Sequence, residues 1–125
     1  MDSNSAEWPY KNISRRDFEK RLAYVEKLLP EYGAEYYKDL AKNESCILNG
    51  NVFKDINFEK HIFKRGKEYI SVGRIYFEQK PFIVLEFADE PEGIYEDADH
   101  FPYDLTDNEI KTEIEFALGI NKADR

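Results

Sequence analysis

The chain has 125 residues, 42% of them hydrophobic, which is enough for one core and too apolar for a disordered chain, so it reads as a single domain over 1–125. Its lone cysteine, Cys46, excludes an intrachain disulfide and a bridge-stapled secreted scaffold. The net charge of −8 is lopsided: 15 Lys or Arg against 13 Asp or Glu in residues 1–80 leaves +2, and 3 against 13 in residues 81–125 leaves −10, which disfavours direct nucleic-acid binding by the C-terminal part.

The start, MDSNSAEWPY, lacks the basic opening and apolar run of a signal peptide, and no apolar stretch is long enough to span a bilayer. A cytoplasmic protein with no membrane contact is therefore expected, with residues 1–12 loosely ordered. Ser14 then reads as an N-cap, with Phe18, Leu22, Val25 and Leu29 on one helical face and Pro30 as the stop. A second helix is predicted over about Ala34 to Lys42, from Ala34, Tyr37 and Ala41 at helical spacing. Between Cys46 and Phe63 neither period fits; Asn49-Gly50 signals a turn.

Beyond Gly66 the composition turns to β-branched and aromatic residues: Tyr69 to Val72, Arg74 to Glu78 and Phe82 to Phe87 predict antiparallel strands. Pro81, at the first position of its strand, forfeits little by lacking an N–H. At the end, Thr106 and Glu109 form a capping box ahead of the stripe Ile110, Ile114, Ala117 and Leu118, closed by Gly119. The predicted fold is α+β: two N-terminal helices, a small antiparallel sheet, a long acidic loop, and a C-terminal helix packed on one sheet face.

That loop, DEPEGIYEDADHFPYD, carries the candidate site. Between Lys80 and Lys111 there are ten carboxylates and no Lys or Arg. Asp89, Glu90, Glu92, Glu96, Asp97, Asp99 and Asp104 would steer a basic protein partner, and Tyr95, Phe101 and Tyr103 would anchor it. Pro91 and Pro102 reduce the ordering entropy lost on binding. The competing reading turns the rings into the core and pairs the carboxylates with the protein's own Lys60, Lys64, Arg65 and Lys67. Exposed ion pairs contribute only about 0 to 1 kcal/mol each, a weak reason to concentrate so much charge.

Other chemistry is less well supported. Asp97-Ala98-Asp99 opens like a calcium loop, but Phe101 and Pro102 stand where a third oxygen ligand and a glycine are needed, so no metal is predicted. His61 and His100 have no second ligand at zinc spacing. Cys46 reads as a small buried thiol rather than a nucleophile, and Glu86 and Asp89 are two carboxylates among many; no catalytic residue and no cofactor are predicted. The basic run KHIFKRGK, residues 60–67, reads as a solvated strand or turn.

In size, lone cysteine, charge and the segment FADEPEGIYEDADHFPYDL, the chain resembles as a type the small acidic immunity proteins that bacteria keep against their own toxins. The resemblance implies tight binding to a basic, nuclease-type toxin, with the acidic loop covering its active site or an adjacent surface. Two alternatives stay open: a regulatory or scaffold domain docking through a sheet edge, with the hairpin Arg74 to Phe87 accepting a strand, and a small globular domain whose loop has no binding role.

Overall fold

The computed structural model describes residues 8–41, 44–48, 51–55 and 59–120, with side chains for 8–40 and 60–120. In chain order come helix α1 (Arg15–Leu28), a 3₁₀ turn (Leu29–Tyr32), strands β1 (Glu35–Ala41), β2 (Glu44–Leu48), β3 (Asn51–Asp55), β4 (Glu59–Arg65), β5 (Glu68–Tyr76), β6 (Pro81–Ala88) and β7 (Glu96–Pro102), and helix α2 (Asp107–Ala117). Five strands form one antiparallel sheet in the order β1-β4-β5-β6-β7, while β2 and β3 pair with each other. The class is α+β, as expected. The turn signal Asn49-Gly50 itself lies outside the described residues.

Both helices begin as their sequences dictate. Ser14 is extended (φ −74°, ψ 130°) and its hydroxyl accepts from the Asp17 N–H at 3.3 Å. At α2 the capping box closes both ways, with Glu109 N–H donating to Thr106 Oγ1 at 3.2 Å and Thr106 N–H donating to Glu109 Oε1 at 2.9 Å. Gly119 (φ +75°) then lets Ile120 N–H reach back to the Glu115 carbonyl at 2.8 Å, which returns Ile120 to the core.

One face of the sheet carries Phe63, Ile70, Val72, Ile83, Leu85 and Phe101, aligned by registers such as Val72 opposite Leu85 and Ile83 opposite Phe101. Phe18, Val25 and Leu28 of α1 and Ile110 and Ile114 of α2 pack on that face in one cluster. Phe18, Ile83, Ile110 and Ile114 are fully buried; each such side chain contributes about 1.5–3 kcal/mol.

Arg21 joins the two helices. Its guanidinium donates to the Leu105 carbonyl at 2.6 Å and the Tyr103 carbonyl at 3.3 Å, and meets Asp107 Oδ1 at 3.1 Å. One side chain thereby fixes the connection from β7 to α2.

Three expectations are corrected. The predicted second helix is strand β1: Gly33, at φ +89°, turns the chain, and Tyr36 and Tyr37 then contact Phe63 and Tyr69 on opposite sheet faces, a period of two rather than 3.6. The long acidic loop is also shorter than predicted, because Glu96 to Pro102 pairs with β6. The start is tied down from Trp8 onward, where Trp8 donates to the Ile13 carbonyl at 2.7 Å, Tyr10 is buried, and the Tyr10 hydroxyl donates to the Phe77 carbonyl. Residues 1–7 lie outside the described part.

Candidate functional site

β7 is an edge strand of the sheet, and this changes what its carboxylates are. Tyr103 N–H donates to the Pro81 carbonyl at 3.3 Å, opposite which the ladder alternates through Phe82–Pro102, Ile83–Phe101 and Val84–His100. By that alternation Phe101 turns its backbone inward to β6, whereas His100 N–H and the backbone at Pro102 face outward. Proline fits there because the missing N–H would have had no partner within the sheet.

The sequence-predicted residues divide into groups. Asp89 and Glu90 are exposed in the turn closed by Gly93 N–H to the Glu90 carbonyl at 3.0 Å. Glu96 and Asp97 are exposed on β7; Asp97 Oδ2 lies 3.0 Å from His100 Nδ1, and Glu96 has no ion-pair partner among the described residues. Glu92 is held by Lys38 of β1, at the opposite edge, so the β6–β7 connection crosses the sheet face away from the helices, on which Ile62, Ser71 and Val84 are buried. Lys38 keeps the Glu92 carboxyl below its usual range. Tyr95 lies on this crossing: its hydroxyl donates to the Pro91 carbonyl at 2.7 Å, and burial, then the charges of Tyr69 and Glu92, raise its pKa.

Asp99 and the remaining rings point elsewhere. Asp99, opposite Leu85, is half-buried against Glu113 of α2; burial first, then the shared hydrogen bond and charge of Glu113, push its carboxyl up to about 7. Asp99 Oδ2 is buried with no further hydrogen-bond partner, so the two acids meet comfortably only while they share a proton. Phe101 is withdrawn as a docking anchor, being 2% exposed in the core. Tyr103 packs edge-on against Phe18 with ring centroids 5.9 Å apart. Asp104 pairs with Lys80 at 2.9 Å.

The protein's own basic run does not neutralise the acidic segment. Lys60 pairs with Glu86 at 2.7 Å, Arg65 donates to the carbonyls of Tyr32 and Leu118, and Lys64 lies over the Tyr69 ring. Among the described residues, none of Lys60, Lys64, Arg65 and Lys67 pairs with a carboxylate of residues 89–104; the two lysines that do, Lys38 and Lys80, come from elsewhere.

The hairpin Arg74 to Phe87 is corrected as a docking edge, because β5 and β6 are internal strands paired on both sides. The edges are β1 and β7. Sequence reasoning also missed an aromatic patch on the sheet face opposite the helices, where Phe77 and Phe82 meet at 4.7 Å and His100 lies 5.9 Å from Phe82. The flanking of the short EQKP connection by two phenylalanines was its only signal.

Among the described residues no three His, Cys, Asp or Glu side chains form a group that could hold a metal ion. His61 is engaged by Glu26 at 2.6 Å, and the Cys46 side chain lies outside the described part. No family model, no curated protein and no solved structure matches the chain. No described helix is long and apolar enough to cross a membrane.

Proposed function

We propose that this protein is a non-enzymatic binding module of the immunity or inhibitor type, acting in the cytoplasm, which takes a basic protein partner on the β7 edge. The observation that carries the reading is the exposure of Glu96 and Asp97 on a strand whose backbone, among the described residues, is paired on one side only. Carboxylates on a strand are held in register by the ladder, so they meet a partner's cations with less ordering loss than the same groups on a loop. An added strand would complete the β7 backbone, and Glu96 and Asp97, with Asp89 and Glu90 beyond them, would select lysine and arginine. Two copies of β7 would instead face like charge to like charge, which disfavours self-pairing.

The test is capture from the source cells by the wild type and by a Glu96→Lys/Asp97→Lys variant, then binding kinetics with the purified partner. Association should slow steeply between about 50 and 500 mM salt while dissociation changes less, and the variant should lose binding while keeping its fold. A partner bound equally by the variant, at a rate indifferent to salt, contradicts the proposal.

A further inference from the structure

Beside the C-terminal end of β7, on the sheet face opposite the helices, lies a cavity of about 500 Å³ lined by Phe77, Glu78, Gln79, Lys80, Phe82 and Pro102. Its walls are mainly apolar, with Phe77 and Phe82 the two rings among them. Phe77 is 41% exposed, a large ring left facing water, and it meets Phe82 at 73° so that the two present a cornered surface rather than a flat one. The backbone beneath it is fixed, since the Phe77 carbonyl accepts from the buried Tyr10. Its charges are unbalanced: Lys80 is committed to Asp104 at 2.9 Å, whereas Glu78 is exposed with no ion-pair partner among the described residues.

An exposed ring, with one uncommitted carboxylate at the rim, suits a cation with a flat, weakly hydrated head. An anion would meet Glu78 and Asp104, and a neutral ring would leave Glu78 unanswered. Geometry narrows the source. Pro102, which lines the cavity, pairs with Phe82 on β6, so the outer side of β7 runs past the cavity mouth. A strand added to β7 alternates its side chains between the two faces, and a long one on the face of His100 and Pro102 can lean across Pro102 to Phe82, one strand further in. Because Pro102 offers no N–H, the partner's backbone gains little there, and a long side chain is what reaches in.

We propose that the cavity receives an arginine side chain from the same basic strand that pairs with β7; the inference rests on the reading of β7 as the docking edge. The guanidinium stacks on Phe77 or Phe82 and forms an ion pair with Glu78, and its stem lies along Pro102. The patch thus adds a residue-specific requirement to an edge that otherwise selects only positive charge.

The experiment is a titration of the isotope-labelled protein with a short, end-blocked peptide of alternating arginine and valine, followed at the β7 amides and at the Phe77 and Phe82 ring protons. Expected are shifts at both places, and about a tenfold weaker affinity for Phe77→Ala and for Glu78→Gln, as for loss of a cation–π or charge-assisted contact, with the β7 shifts retained. Phe77 is half exposed and Glu78→Gln is conservative, so both variants should fold. The matching peptide with citrulline for arginine should bind more weakly. Shifts at β7 without ring shifts, and with affinity unchanged in Glu78→Gln, overturn the arginine site and leave the docking edge standing. Shifts at neither place, or equal binding of the citrulline peptide, also overturn it, and silence at β7 counts against the edge as well.

Discussion

Arg21 Nη2 donates to the Leu105 carbonyl at 2.6 Å, and through that bond helix α1 holds the turn by which β7 enters α2. The same guanidinium takes the Tyr103 carbonyl and Asp107, so its donors are spent on one short segment. The edge strand is therefore anchored at its C-terminal end by a contact that lies far away in sequence.

Arg21→Ala should destabilise the protein by about 1–2 kcal/mol, because two part-buried carbonyls lose a charged donor. Arg21→Lys should recover less than half of this, since an ammonium lacks the planar fork. Urea unfolding checks both, and a loss of under 0.5 kcal/mol, roughly the scale of a neutral surface substitution, would refute the anchoring role.

The Asp99–Glu113 contact makes stability depend on pH. The native Asp99 carboxyl titrates at about 7, above its ordinary 3.8, so between these values the native state holds a proton that the unfolded chain has released. The contribution of this contact to stability is thus fully present below about pH 4, falls as pH rises toward 7, and is gone above it. Asp99→Asn should flatten most of that slope, leaving the contribution of Glu26, whose carboxyl is raised by burial. The variant should be more stable than the wild type at pH 8 by on the order of 1 kcal/mol. Urea midpoints at pH 5 and 8 provide the check.

Lys38 and Glu92 are both at the surface, and their pairing sets the path of the β6–β7 connection rather than the stability of the fold. Lys38→Ala should leave the unfolding midpoint unchanged while speeding amide exchange at Gly93 and Ile94. A lowered midpoint would show that the crossing of the sheet is needed for folding.

Gly33→Ala should cost about 1 kcal/mol. The glycine sits at φ +89° with no atom within 4 Å of the place a Cβ would occupy, so the penalty is backbone strain alone. Thermal melts of Gly33→Ala and Gly33→Asn check it, with Asn the milder change because it tolerates the left-handed region better.

Local signals were legible where they act locally. Ser14 and the pair Thr106 and Glu109 name their helix starts because capping needs only residues three apart. β1 was not legible: Tyr36 and Tyr37 reveal a strand only when Phe63 and Tyr69 stand on the two sides of the sheet, and those lie more than twenty-five residues away. Glu96 to His100 reads as loop because it has no apolar alternation, and its strand state comes from the ladder with β6. Phe101 belonged to the same run yet lies in the core, since a strand sends neighbouring side chains to opposite faces and a composition count cannot tell them apart. The Phe77–Phe82 corner forms across a turn, so spacing alone hides it.

Amide hydrogen exchange along β7, recorded for the protein alone and for its complex with the partner captured from the source cells, tests the docking edge most directly. His100 N–H faces outward and should exchange quickly in the free protein, then become strongly protected in the complex, with the inward-facing Phe101 N–H slow in both. Protection that appears on β1 or on the helices while His100 stays fast would contradict the account, and would leave the charges of β7 as a device that merely keeps its edge from pairing.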